Sequence, residues 1–476
     1  MTLRRPFPLA LLSAAVLAAV CALAAVEAAD APTTLDGYAR AVGVVAVAGV
    51  SVAALLAPPA WTLTGGLVLA IFSSHWELLG VPIGVDRLVL AIGIGSLLAR
   101  EWRHRDGRLA TRPIDWLLIL AGLYALVSAA LAGTLEDPQS RFTLLDRFGL
   151  IPFALFFAAP FAFRTERDRR VLLGALVALG LYLGLDALIE TTGPRDLIVP
   201  SYINDPLEGI HFDRARGPFL DASAMGMALY AGMIAASIAL VRWRSIEARI
   251  LAVAVVALCG VGIVLTQTRA VWLAAAIATP VALLCARETR RWFVPIALAG
   301  LALVVGALAV IPGVRAEADK RADDKQPIWD RKNSNAAAVR MIAERPVTGF
   351  GWGRFATESG PYYRQSQDYP LTGVRDLHNV YLSNAVELGG PGAFIWLLAL
   401  LAAIGGAIVR RGPPELKPWK LGLVAFAVAS LISYATAPFS YVFPTLLLWL
   451  WAGVAWGPRP EPEVGGNAGF RAGGRF

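Results

Sequence analysis

The chain has 476 residues, 57% of them hydrophobic and only 16% charged, with a mean hydropathy of +0.59, a balance that excludes an ordinary soluble globular protein. Its net charge of +8 would suit nucleic acid, but the arginines fall in short clusters between apolar runs, which is the signature of membrane topology and not of a basic binding face. Crossing a hydrocarbon core takes roughly 20 apolar residues, and the runs show no period-two alternation, so the expected fold is an all-α integral membrane protein and not a barrel.

In chain order the apolar runs predict spans near residues 7–29, 39–57, 61–76, 82–99, 113–133, 148–163, 171–190, 219–241, 250–267, 271–286, 293–312, 379–409, 421–437 and 440–456. The pieces at 61–76, 271–286 and 440–456 are short, which sets the expectation at roughly 12 to 14 transmembrane helices. The first run follows Arg4 and Arg5 and reads as a retained signal anchor, with cleavage of residues 1–29 the alternative. Three regions result: N-terminal transmembrane helices over 1–212, a second membrane domain over 213–456, and a Pro- and Gly-rich disordered cytoplasmic tail over 457–476.

Loop charge sets the orientation. Arg100, Arg103, Arg105, Arg108 and Arg112 form the first of five basic clusters on alternate loops. The others are Arg164 to Arg170, Arg242 to Arg249, Arg287 to Arg291, and Arg410 to Lys420. Positively charged short loops stay in the cytoplasm, so the opposite face carries segments 134–147, 191–218, 267–270 and the large extracytoplasmic loop 313–378. Inside that loop, Asn333 to Arg345 reads as a short amphipathic helix with Ala336, Val339, Arg340, Ile342 and Ala343 in its pattern, ended by Pro346. Cys21, Cys259 and Cys285 all sit inside apolar runs, which suits packing and not disulfides or metal.

Basic residues on the outward face run against topological selection and therefore mark candidate chemistry. They are Arg141, Arg147, Arg195, Arg214, Arg216 and Arg269. Arg269, in TQTRA, joins two apolar runs so closely that its guanidinium sits at the membrane surface. It needs an anion there, either a protein carboxylate such as Asp186, Glu190 or Asp221, or a phosphate that its planar fork can grip. Arg214 and Arg216 precede the span at Phe219, where snorkelling anchors and ligand groups look alike. His378 stands where the long outer loop meets a span, with Asn379 and Tyr381 beside it. An imidazole there can take a proton at working pH. Glu387 lies nine residues on, at about 100° per residue, on roughly the opposite helix face, so it pairs elsewhere. His75 reads as an interface residue, His104 as a cytoplasmic loop residue and His211 as a solvated loop histidine.

Four stretches taken together carry a resemblance: RARGPFLDASAMGM at 214–227, LTQTRAVWLA at 265–274, AAAVRMIAERPVTGFGWGRF at 336–355 and LHNVYLSNAVELGGPGAF at 377–394. In this order the chain resembles the O-antigen ligase and O-antigen polymerase superfamily of bacterial envelope glycosyltransferases. The resemblance implies an inverting transfer of a glycan from an undecaprenyl-diphosphate donor to a glycan or lipid A-core acceptor, without metal, nucleotide or nucleic acid, on the periplasmic face of the inner membrane. It also implies His378 as the base and Arg269 and Arg216 as diphosphate ligands; by position Arg214 is a further candidate diphosphate ligand, and Asn379, Tyr381 and Glu387 are candidate supporting residues. Thr268 and Ala270 depart from the usual Ser and Gly of the TxSR-G pattern, and LDAS at 220–223 replaces a common N-P-N stretch. Two other classes fit the spans. One is a secondary transporter using Asp86, Asp186 and Asp221 as ion sites, though no repeat of broken helices is visible. The other is a non-catalytic subunit of a polysaccharide export system, in which His378 would be dispensable.

Overall fold

The structure, a computed structural model, describes residues 35–73, 75–79, 81, 84–104, 111–310, 325–365, 370, 371, 373, 376–437 and 441–458. The expected span at 7–29, Cys21 and nearly all of the tail after Trp456 lie outside these residues.

Helices follow the predicted runs closely. They are α1 (Leu35–Leu56), α2 (Pro59–Leu69), α3 (Val85–His104), α4 (Pro113–Ala132), α5 (Pro138–Phe142), α6 (Leu150–Ala162), α7 (Glu166–Thr192), α8 (Ala222–Arg242), α9 (Ile246–Leu265), α10 (Arg269–Cys285), α11 (Phe293–Val310), α12 (Gln326–Glu344), α13 (Val380–Val409), α14 (Lys417–Thr436) and α15 (Val442–Trp456). Between α5 and α6 the chain takes one π-helical turn, Thr143–Phe148. Among the described residues seven helical stretches are long and apolar enough to cross a membrane, five shorter apolar helices accompany them, and no strand occurs.

The short α15 is the axis of the bundle. Every residue from Val442 to Ala455 is buried, as expected of a helix that is apolar all round, and it packs against α6, α14, α13 and α8. Phe153 and Phe156 of α6 meet Trp449 edge to face, and Trp451 stacks near Phe426 of α14. In lipid, helices gain from close approach and not from water exclusion, so small residues mark the crossings. At the α7–α8 crossing a side chain on Gly180 would meet the Gly232 backbone at 3.1 Å, and the buried Cys259 thiol donates to the Gly180 carbonyl at 3.3 Å. Cys285 is exposed.

The basic clusters gather with one another. Arg164 pairs with Glu101 at 2.8 Å, Arg242 with Glu166, and Lys417 with Glu288 at 2.7 Å. The segments with few basic residues meet at other contacts: Thr134 donates to the Trp352 carbonyl at 2.7 Å, and the Ala215 amide donates to the Leu265 carbonyl at 3.2 Å. The alternation read from loop charge is therefore a spatial grouping of loops as well as a sequence pattern.

The loop helix differs from its prediction. It runs over Gln326–Glu344 and buries Ser334, Ala337, Ala338 and Met341, while Val339 is exposed. Periodicity pointed to the wrong face because the right one is built from small residues that let α12 lie close against α13. The two share a satellite core of Ala338, Met341, Phe355, Leu377 and Val386.

Candidate functional site

The stretch Pro346 to Phe355 threads into the membrane body through its glycines. Gly389 interrupts α13 with φ +68° and ψ 177°, and the kink turns its backbone toward the loop. The Phe350 and Gly351 amides donate to the Val386 and Glu387 carbonyls at 2.8 and 2.9 Å, and the Gly390 amide donates to the Pro346 carbonyl at 2.7 Å. Added to Gly389, a Cβ would lie 2.1 Å from the Val347 carbonyl oxygen, and one on Gly349 would lie 2.5 Å from the Gly389 nitrogen. Next to this interlock Trp352 is buried, its indole donating to the Ser140 carbonyl at 3.0 Å and its amide to the Ser128 hydroxyl at 3.1 Å. The Arg354 guanidinium closes on the Ala132 carbonyl. Glu387 is buried here, accepting from the Phe355 amide at 3.3 Å, so it fastens the loop and is engaged away from His378.

His378 is held from both sides. Leu377 is buried in the core shared with α12, and Asn379 caps α13 by accepting from the Leu382 amide at 3.1 Å. Tyr381 donates to the Leu431 carbonyl at 3.0 Å and meets Trp396 and Tyr434 edge to face. The half-buried imidazole has its Nδ1 2.9 Å from the Asp376 carbonyl. A carbonyl can only accept, so that bond places the proton of the neutral ring on Nδ1 and leaves Nε2 as the basic nitrogen.

Arg269 opens α10 after Gln267, whose φ of +48° makes the tight TQTR turn, and its side chain is exposed. Its charged neighbour is Arg331 of α12, and Tyr441, just before α15, lies within the same electrostatic reach. Among the described residues neither guanidinium forms an ion pair with a carboxylate. Two like charges brought together from separate elements without a counter-ion create a strong local demand for an anion. Sequence reading missed Arg331, because a basic residue in a long mixed-charge loop breaks no topological rule. Only the packing of α12 against α13 brings it within electrostatic reach of Arg269.

Arg216 is placed otherwise than expected. Its side chain is 0% exposed, and its terminal nitrogens donate to the Ile203, Asp205 and Glu208 carbonyls, the first at 2.9 Å. Nε lies 3.9 Å from Glu190, which also accepts from the Arg216 and Gly217 amides at 3.0 Å each. The Arg216 and Arg195 guanidiniums both lie over the Phe212 ring, at 4.8 and 4.4 Å from its centre. Three loop carbonyls thus meet its terminal nitrogens while Nε stays buried without a hydrogen-bond partner, and in this arrangement Arg216 acts as an internal clamp that folds 203–217 around itself. Arg214 lies 3.8 Å from Asp213. His75 Nε2 lies 3.1 Å from the Phe219 carbonyl.

Between these elements a cavity of about 220 Å³ opens, walled by His75, Arg147, Phe219, Asp221, Tyr441 and Phe443. Tyr441 is common to this cavity and to the neighbourhood of Arg331.

The fold is that of a helical multi-pass membrane protein, with a basic, aromatic face where a long loop meets the bundle. Residues 254–397 match the family model of the O-antigen ligase, and this match supports a place for the segment in the O-antigen ligase and polymerase superfamily. The match takes in Arg269, Arg331, His378 and the whole glycine interlock. It supports ligase- or polymerase-type transfer acting on lipid-linked glycan in general. No curated protein matches the chain.

Proposed function

We propose that the chain transfers a glycan from an undecaprenyl-diphosphate carrier to an acceptor hydroxyl, on the periplasmic face of the inner membrane. The observation that carries this reading is that Arg269 and Arg331, both in the matched segment that supplies His378, lie within electrostatic reach of one another and form no ion pair with a carboxylate among the described residues. His378 Nε2 accepts the proton of the acceptor hydroxyl as its oxygen bonds the anomeric carbon. The bond from that carbon to the carrier diphosphate breaks with inversion, and the two guanidiniums take up the negative charge that develops on the departing diphosphate. The step as drawn routes no charge through a metal ion. Arg216 serves by holding the 203–217 loop in place, a role its buried hydrogen bonds support.

Polysaccharide complementation in cells lacking the gene tests the reading, with His378→Ala and Arg269→Ala made at normal membrane levels. Both should lose at least a hundredfold in product, the scale of a missing general base. Full activity in both would sink the mechanism. The product lost separates the two reactions: acceptor left uncapped marks a ligase, and single repeat units left unjoined mark a polymerase.

A further inference from the structure

The cavity beside Tyr441 has chemistry that the transfer step does not use. Arg147 reaches it from the π-helical turn Thr143–Phe148, a distortion that recurs at functional sites because it redirects one side chain. Its neighbour Asp146 binds Arg87 through Oδ2 at 2.7 Å and forms no hydrogen bond with Arg147, its Oδ1 being buried without a partner. Arg147 itself makes one long bond, from Nη1 to the Thr143 hydroxyl at 3.5 Å, and its Nε is buried without a partner. Across the cavity Asp221 caps α8 with Oδ1 alone, accepting from the Ser223 and Ala224 amides at 2.7 and 3.0 Å. His75 spends Nε2–H on the Phe219 carbonyl, which leaves Nδ1 as an acceptor. Phe219, Phe443 and Tyr441 supply ring surface.

A buried guanidinium donor, a carboxylate and an imidazole acceptor set among aromatic rings match a polyhydroxylated ring, whose hydroxyls donate and accept while its C–H faces are apolar. A second diphosphate would be repelled by Asp221, and a lipid tail would strand Arg147. We propose that this cavity binds the first sugar of the carrier-linked glycan, with Arg147, Asp221 and His75 reading its hydroxyls. The inference rests on the proposed function: Tyr441 is the wall shared with the Arg269 and Arg331 pair, so a ring in the cavity would sit next to a diphosphate held there.

The test uses the full chain in nanodiscs and two probes, undecaprenyl diphosphate alone and undecaprenyl diphosphate carrying one hexose, with binding measured for each. Arg147→Gln and Asp221→Asn should weaken the hexose-bearing lipid tenfold or more and leave the bare lipid within twofold. Asn still caps a helix, so Asp221→Asn keeps the fold. Arg269→Ala should weaken both lipids alike. Equal losses on the two lipids in both cavity variants, or no loss on either, would overturn the sugar subsite alone. Wild-type protein that binds neither lipid, or binds both without dependence on Arg269, would overturn the proposed function and the subsite with it.

Discussion

Replacing Arg216 by Ala distinguishes a clamp from a ligand. In the clamp, the change strands Glu190, 4% exposed, and removes donors from the Ile203, Asp205 and Glu208 carbonyls. Breaking a buried ion pair by deleting one partner costs about 3–5 kcal/mol. The lost hydrogen bonds of the guanidinium belong to the same deletion and are not added to that figure. For a chain of 476 residues a loss of this size lowers an apparent melting temperature by about 3–5 °C. The 14 tryptophans give the readout, as intrinsic fluorescence during heating of the purified protein in detergent. Glu190→Ala added to Arg216→Ala should recover part of the loss, because the stranded charge is then gone. An Arg216→Ala protein that melts like wild type yet has lost transfer would refute the clamp and restore Arg216 as a direct phosphate ligand.

The glycine interlock and the guanidinium pair give two further expectations. Gly389→Ala places a methyl carbon 2.1 Å from the Val347 carbonyl oxygen at a φ of +68°, so the loop must leave the bundle. Limited proteolysis should then cut the 325–378 segment much faster than in wild type, and unchanged protection would contradict the interlock. Arg331→Gln should weaken binding of bare undecaprenyl diphosphate as Arg269→Gln does, and the double variant should lose less than the sum of the two, since both act on one anion. Strict additivity would mean that the two arginines serve separate sites.

Much was legible in the sequence because a membrane imposes local rules. An apolar run must become a helix whatever its neighbours do, and a short basic loop stays on one side, so α4, α7, α8 and α13 begin and end within a few residues of their predicted runs. The same reasoning singled out Arg269 and Arg147 as misplaced charges and His378 as a loop-to-span histidine. What a misplaced charge touches is a tertiary matter. Arg216 and Arg269 looked alike in the sequence, yet one is sealed by carbonyls of its own loop and the other stands exposed beside Arg331. The buried face of α12 escaped periodicity because Ser334, Ala337 and Ala338 carry little hydrophobicity and owe their burial to fit against α13. By itself, then, the sequence determined the spans, their alternation and the segments that could carry chemistry, since those follow from transferring each segment into lipid. Which arginine is free to bind, which glycines lock the loop and where a cavity opens beside Tyr441 were decided only when distant segments packed together.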